Sequence, residues 1–289
     1  MSALVYLAGK LSPKWYYRVT QLRYKFPFLG TILSKAGDRL RNRDGVIQGG
    51  LGKGLKFNVG NSIAGYLLGT QEPHVQAAIK HLVRDGMVVY DLGANVGFLS
   101  LLFARAVGPK GRVVAFEPVA TNFERIVSNA KLNGFNNITV RCEAISRSDG
   151  CARFAVGAFA TIGKLDTAPA SSSQEICEVP TRALDSVIAE FPLPDLVKVD
   201  IEGAEIDCLY GARELLKDKR PLLLIELHAT NQVVDEILTA AHYDSLVLGS
   251  DRPITEGHWN VQILAYPKER SLQSETRQVL TSAGLTPWR

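Results

Sequence analysis

The sequence predicts an α/β protein built on a doubly wound, mostly parallel sheet, preceded by an N-terminal helical extension. Three observations predict it. From residue 87 onward, apolar runs alternate with helical-looking segments, the pattern of successive βαβ units. Several of those runs are continuously apolar rather than alternating, as strands covered on both faces are. Acids recur where the runs end: Asp91, Glu117, Glu143, Asp200 and Glu226, with His228 just beyond. In such sheets ligands bind past the carboxyl ends of the strands, so these residues should share one crevice.

Taken in order, residues 1–43 read as one or two helices broken near Pro27 and Gly30. Residues 44–69, rich in glycine, suggest a small hairpin or covering loop. Glu72-Pro73 opens a helix running to about Val83, with proline in the first turn, where its missing N–H costs nothing. The first core strand spans about 87–92, its helix 97–107 and the second strand 112–117. A helix over about 120–133 ends at Gly134, as helices often end, and Ile138–Ala144 is the third strand. The alternation then breaks over 145–182, an insertion with possible strands at 152–156 and 176–182 that borders the expected substrate pocket. Helix 183–190, strand 196–200, helix 204–216 and strand 222–227 complete the parallel set. A helix at 231–241 and strands near 244–249 and 259–266 finish the sheet with one antiparallel pair. The expected organisation is an extension over 1–69, a main domain over 70–268 and a tail over 269–289.

Composition is that of an ordinary globular chain, with 289 residues, 46% apolar and 21% charged. Cys142, Cys151, Cys177 and Cys208 are scattered without a C-x-x-C pair, which supports neither a zinc site nor a disulfide framework and fits a reducing compartment. No secretory signal is evident and the most apolar window holds Asp91, Asn95 and Arg105, so the expectation is a cytoplasmic protein, at most peripheral to a membrane. Charge is unevenly placed. Residues 1–43 hold nine Lys or Arg against one acid, Asp38, while the whole chain carries only +4. With Trp15, Tyr16, Tyr17, Tyr24, Phe26 and Phe28 alongside, this segment suits an anionic membrane surface, a nucleic acid or an acidic substrate. It equally suits an extension whose aromatics pack on the body.

The segment Tyr90-Asp91-Leu92-Gly93-Ala94-Asn95-Val96-Gly97-Phe98 carries the most chemistry. A strand ends in an acid, a glycine loop follows, and a helix begins. Glycines at 93 and 97 let backbone approach a ligand where a Cβ would intrude. Glu117 lies 20 residues beyond Gly97, the offset that places an acid on a nucleotide ribose. The G-x-x-x-G spacing departs from the G-x-G-x-x-G of dinucleotide sites, and no lysine follows as in a phosphate-binding loop. Asp91 at the strand tip would repel a pyrophosphate but suits a cation. S-Adenosylmethionine, with an ammonium and a sulfonium and no phosphate, therefore fits better than NAD.

A second acidic stretch, Lys198-Val-Asp200-Ile-Glu202-Gly-Ala-Glu205, crosses a strand-to-helix turn. Glu205 would favour the helix N-terminus electrostatically. Asp200 faces the same crevice as Glu226 and His228. By ordinary pKa His228 suits a general base, oriented by Asp200 or Glu226. Alternatively Asp200 and Glu202 would hold a divalent cation, although no ligand spacing supports one.

Together these residues resemble the FkbM-type methyltransferase family, within the larger Rossmann-like class I group that uses S-adenosylmethionine. The resemblance runs from about Gly69 to Tyr266. It rests on Gly69-Thr-Gln-Glu-Pro73, the 90–98 loop, Phe116-Glu-Pro118, Leu184-Asp185, Lys198–Glu205, Gly211-Ala212, Arg220-Pro221 and Glu226-Leu-His228. It implies an O-methyltransferase acting on a sugar, glycan or polyketide-like hydroxyl. By position, Asp91, Gly93, Ala94, Asn95, Gly97 and Phe98 would wrap the amino-acid and ribose portion of the donor. Glu117 with Pro118 would bind the ribose, Glu143-Ala144 would lie beside adenine, and Glu72 would help hold the ammonium. Asp200 would sit next to the methyl group, and Glu202 and Glu205 near substrate. Competing readings are a methyltransferase for RNA or protein, disfavoured for bases by the lack of an Asn-Pro-Pro-Tyr-like motif, and a noncatalytic binding protein that keeps the fold.

Overall fold

The computed structural model describes residues 42–156, 163–165 and 175–282. The basic aromatic stretch through residue 41 and most of the 157–174 tract lie outside the described residues. A short antiparallel hairpin, β1 (Asp44–Val46) and β2 (Lys56–Asn58), comes first. It is followed by α1 (Pro73–Leu82), β3 (Val88–Leu92), α2 (Phe98–Val107), β4 (Arg112–Phe116), α3 (Ala120–Leu132) and β5 (Ile138–Arg141). Next come β6 (Ala144–Ile145), β7 (Gly150–Val156), β8 (Gly163–Leu165), β9 (Glu175–Arg182), α4 (Leu184–Val187) and β10 (Leu196–Val199). The chain continues through α5 (Glu205–Tyr210), β11 (Leu222–His228), α6 (Asn231–Ala240), β12 (Tyr243–Val247), β13 (Asn260–Pro267) and α7 (Ser274–Thr281).

Seven strands form the main sheet in the order β12-β13-β11-β10-β3-β4-β5. β13 runs antiparallel to both its neighbours, and the pairs from β11 to β5 are parallel. From β3 the chain winds outward through β4 and β5, then returns to the other side of β3 with β10 and β11. The crevice of a doubly wound sheet opens where that order reverses, at the ends of β3 and β10. This is the predicted architecture.

Side-chain alternation along the strands divides the core. Val89, Val113, Leu196 and Leu224 pack on one face with α1, α2, the hairpin and Leu280 of α7. Tyr90, Val114, Val197 and Ile225 face the other side, against α4, α5 and α6. Both faces of the sheet are thus covered, which explains the continuous apolar runs. Among the described residues no helix is long and apolar enough to cross a membrane.

The expected third strand over 138–144 divides in two. β5 ends at Arg141, and Ala144-Ile145 turns away to pair with Thr181 and Arg182 of β9. This second sheet, in the order β6-β9-β7-β8, is the insertion. The helix expected over 204–216 breaks after Tyr210, at Gly211, which packs against backbone: a Cβ there would meet the Ser146 carbonyl oxygen at 2.4 Å. A π turn, Leu215–Lys219, follows. The helix expected over 183–190 is confined to α4. In the expected tail, α7 forms and buries Leu280, whose carbonyl accepts the Gly249 N–H at 2.7 Å.

The hairpin is fastened to α3 by two asparagines. Asn129 Oδ1 accepts the Asn58 N–H at 2.8 Å, and its Nδ2 donates to the Asn58 carbonyl at 3.0 Å and the Val96 carbonyl at 2.9 Å. One turn later, Asn133 repeats the exchange with Lys56, at 2.9 and 2.7 Å. Alternate strand residues lie ~6.6 Å apart and helix positions i and i+4 ~6 Å apart, so the two asparagines stand in for a neighbouring strand. Asn129 is fully buried. Asn129→Ala strands three backbone groups, each worth about 1–3 kcal/mol when buried without a partner. Urea unfolding should show a loss of at least ~2 kcal/mol; an unchanged midpoint would mean the hairpin is held by other contacts.

Candidate functional site

At the end of β3 the Gly93 and Ala94 N–H groups both donate to the Phe116 carbonyl at 3.0 Å, which ties the loop to β4. Gly93 has φ +75°, and a Cβ there would lie 1.8 Å from the Asp200 backbone oxygen. The loops after β3 and β10 therefore cross in direct contact, which only glycine permits. Gly97, at φ +85°, caps α2 and packs on Ile126. Ala94 is buried against Ala115 and Ile126. Phe98 is a core residue, 2% exposed, with ring centroids 4.9 Å from Tyr66 and 5.9 Å from Phe57. Ala94 and Phe98 thus support the loop from behind instead of facing the crevice.

Glu117, at the tip of β4, is held on both oxygens. Oε2 accepts the Asn95 N–H at 2.8 Å, and Oε1 accepts the Val119 N–H at 3.0 Å and Asn122 Nδ2 at 3.3 Å. Burial pushes its carboxyl up to about 7, against those hydrogen bonds. It borders a slot lined by Gly93, Asn95, Pro118, Glu143, Ala144, Asp200 and Glu202. Asn122, Ile201 and Phe154 complete the walls. Phe154 comes from β7, so the insertion does border the slot. Glu143 is bound to Arg141 at 2.7 Å, with Arg182 at 3.9 Å.

Asp91, one residue before the end of β3, is fully buried and accepts the Ser100 hydroxyl on Oδ2 at 2.5 Å. Its Oδ1 has no hydrogen-bond partner among the described residues. Burial raises its pKa, and Lys198 opposes the rise. Lys198, 3% exposed, sits beside Asp91 in the strand register and donates to Asp200 Oδ2 at 2.9 Å. Burial works against its charge, but Asp200, Glu72 and Asp91 together hold its pKa above the usual value. Lys198 is a functional residue that the local motif does not announce. Its signal was a lysine on a buried position of an otherwise apolar strand.

Glu72 occupies the left-handed region at φ 49°, just ahead of α1. Its Oε2 is buried and unpartnered among the described residues. Burial pushes Glu72 up to about 8, opposed by Lys198 and reinforced by Asp200, Glu226 and Asp91. Tyr66, from the covering segment, is a second residue the sequence did not single out. Its hydroxyl is raised by burial and by the nearby Glu72 and Asp200.

His228 ends β11. Its Nδ1 lies 3.0 Å from Glu205 Oε1, which also accepts the Gly203 N–H at 2.8 Å, and Glu205 Oε2 accepts the Thr230 hydroxyl at 3.0 Å. Glu205 is wholly buried, so it does far more than favour a helix terminus. His228 Nε2 lies 3.4 Å from Glu202 and 3.9 Å from Glu226 Oε1. The orienting carboxylate is therefore Glu205, not Asp200 or Glu226 as expected. Glu226 is itself fixed by Gln262 Nε2, which donates to its Oε2 at 2.9 Å. Burial lowers the tendency of His228 to be charged, but the Glu205 hydrogen bond and the charges of Glu205, Glu202 and Asp200 win, raising its pKa to about 9. A rise of this kind favours the charged imidazole, which tells against the part of ready general base that the sequence suggests.

The sign of the pH effect follows. The folded value of about 9 lies above the ordinary 6.5, so the charged His228 stabilises the fold fully below pH 6.5, and that contribution is lost as pH rises through 9. Urea unfolding of the unliganded protein and of His228→Gln should give a free-energy difference that shrinks between those values. A difference independent of pH would mean that His228 is not charged in the fold.

The family model for the Methyltransferase FkbM domain matches residues 91–245. The chain is 29% identical over 144 residues to the hexuronic acid methyltransferase AglP of Haloferax volcanii, covering 49% of this chain and 56% of that protein. It is 28% identical over 187 residues to the AMB antimetabolite synthetase AmbE of Pseudomonas aeruginosa, covering 50% of this chain and 9% of that one. The chain thus spans well under two thirds of the length of either relative. Among solved structures, methyltransferase FkbM from Methylobacillus flagellatus has a TM-score of 0.45 at 22% identity, over 64% of this chain and 45% of the other.

Proposed function

Because the chain belongs to the FkbM methyltransferase family, whose methyl donor is S-adenosylmethionine, we propose that it methylates a hydroxyl group of a sugar or glycan. The observation that carries this reading is Asp91 Oδ1, buried without a partner at the tip of β3, beside a loop with no group to neutralise a phosphate. A buried, unpaired carboxylate oxygen is costly unless a cation meets it. The donor's ammonium supplies one.

In this reading Gly93, Asn95 and Gly97 let the donor lie against backbone, and Glu117 accepts hydrogen bonds from the ribose hydroxyls. Pro118, Ala144, Ile145 and Phe154 give the far end of the slot apolar walls for the adenine, with Glu143 at its rim. The methyl group then faces Asp200 and Glu202. Glu72, expected to serve the ammonium, has Glu226 among its electrostatic neighbours, and we assign it to the acceptor side of Lys198. The main domain over 70–268 holds donor and acceptor, with residues 44–69 covering it.

Transfer is an in-line displacement. The acceptor oxygen forms a bond to the methyl carbon as the carbon–sulfur bond breaks, and the sulfonium becomes a neutral thioether. The hydroxyl proton passes to Asp200 or Glu202. Holding the reactants in line can supply roughly 7–11 kcal/mol of the barrier reduction, and proton removal about 10²–10⁴-fold.

Two features support a sugar acceptor. AglP acts on a hexuronic acid by its name. Trp259, 59% exposed, accepts the Ala229 N–H on its carbonyl at 2.6 Å, so its backbone lies beside the residue after His228, and we assign its indole to the acceptor. Its apolar face suits the C–H face of a pyranose, as amphipathic rings do at half-wet surfaces.

Glu117→Ala should weaken S-adenosylhomocysteine binding roughly tenfold to a hundredfold, the worth of hydrogen bonds to a charged group. Calorimetry measures it, and undiminished affinity would remove Glu117 from the ribose. With a uronic-acid glycan as acceptor, Asp200→Asn should lower kcat by about 10²–10⁴. Unaltered turnover would exclude Asp200 from the transfer step.

A further inference from the structure

Three side chains, of which Asp200 lines the slot and the other two lie beyond it, converge in a way that donor binding leaves unexplained. Asp200, Glu226 and His228 each present one ligand atom within 4.8 Å of the others. Each is also gripped from outside the group. Lys198 holds Asp200 Oδ2 at 2.9 Å, Gln262 holds Glu226 Oε2 at 2.9 Å, and the buried Glu205 holds His228 Nδ1 at 3.0 Å. One atom of each side chain is thereby anchored. A carboxylate gripping the far nitrogen of a histidine is the usual outer support of a metal-binding imidazole. It leaves Nε2 facing Glu226 Oε1 at 3.9 Å and Glu202 at 3.4 Å.

An independent observation points the same way. Glu72 Oε2 is buried, has no hydrogen-bond partner among the described residues, and lies within electrostatic reach of Asp200 and Glu226. Among the described residues, four carboxylates, Glu72, Asp200, Glu202 and Glu226, thus interact here with two cationic partners, Lys198 and His228. Carboxylates crowded at low dielectric demand a compensating cation. Asp91 already accounts for the donor's ammonium.

We propose that Asp200, Glu226 and His228 bind one divalent metal ion, which holds the acceptor hydroxyl in front of the donor's methyl group. Carboxylate oxygens with one imidazole and no thiolate suit a hard or borderline ion such as Mn²⁺ or Mg²⁺. Bonds of ~2.0–2.6 Å accommodate an ion between atoms spaced as these are. The remaining positions are open to water and to the acceptor's oxygens. As a Lewis acid the ion would ease loss of the hydroxyl proton to Glu202, which stands outside the three ligands. The metal site stands on its own geometry; its role in placing the acceptor rests on the methyl-transfer reading.

The test uses the full chain, stripped with chelator and titrated with Mn²⁺ while the free-ion signal is followed by electron paramagnetic resonance. S-Adenosylhomocysteine binding is measured calorimetrically on the same samples. One saturable Mn²⁺ per chain is expected. Its affinity should fall by about 10–100-fold in Gln262→Ala, which loosens only the outer support, and binding should be lost in Glu226→Gln. Absence of saturable Mn²⁺ binding in protein that still binds S-adenosylhomocysteine overturns the proposal and leaves the methyl-transfer reading intact. So does Mn²⁺ binding that Glu226→Gln and His228→Gln leave unchanged in folded protein. Specific Mn²⁺ binding without S-adenosylhomocysteine binding would uphold the metal site and refute the methyl-transfer reading.

Discussion

The site depends on one close approach, that of the Gly93 Cα to the carbonyl oxygen of Asp200. With a methyl group at position 93 the two would stand 1.8 Å apart, so backbone meets backbone where the donor loop and the acidic loop cross. That contact lies at the reversal of strand order between β3 and β10, the one place in the sheet where two loops leave neighbouring strands in opposite directions. From it follow the shared slot, the nearness of Asp91 to Asp200, and the need for a cation between them. No other residue type at 93 meets both the left-handed φ and the missing Cβ.

Lys198 is what allows acids to gather there. It projects from the same short strand that delivers Asp200, on a buried position, and compensates Asp91, Asp200 and Glu72 from one point. One ammonium does not neutralise all the carboxylates around it. Burial raises Glu72 to about 8, against Lys198, and raises Glu117 to about 7. A site with such a deficit is stabilised most by ligands that bring positive charge, which agrees with a donor carrying two cationic centres. The unliganded protein holds these groups desolvated in advance, the preorganisation that electrostatic catalysis requires.

Much of this was legible in the sequence, and for identifiable reasons. Local signals carried it: apolar runs, glycines where φ is positive, acids at strand ends. Asp91, Glu117 and Asp200 were found because their positions along the chain are fixed by strand length. What escaped depends on partners far apart in sequence. Asn129 and Asn133 look like ordinary helix-surface residues until Asn58 and Lys56 are seen beside them, 71 and 77 positions earlier. The parting of β5 from β6 is imposed by pairing with β9, which no local pattern announces. α7 carries few apolar residues, only Leu280 being buried, so its polar composition reads as a solvated tail although its pattern is amphipathic.

His228 shows why a residue's ordinary pKa is a poor guide to its role. Read alone, a histidine after a core strand beside acids invites the part of general base. Its actual partner, Glu205, comes from the helix after the neighbouring strand and is wholly enclosed. An enclosed carboxylate pressed to an imidazole leaves it two stable conditions: it keeps its proton and forms an ion pair, or it gives up that proton while Nε2 takes another electrophile. On the metal proposal, proton removal would fall to a carboxylate and the histidine's contribution would be positional, fixing what lies between Asp200 and Glu226. For a displacement at carbon, in which alignment counts for more than basicity, that is the more useful part.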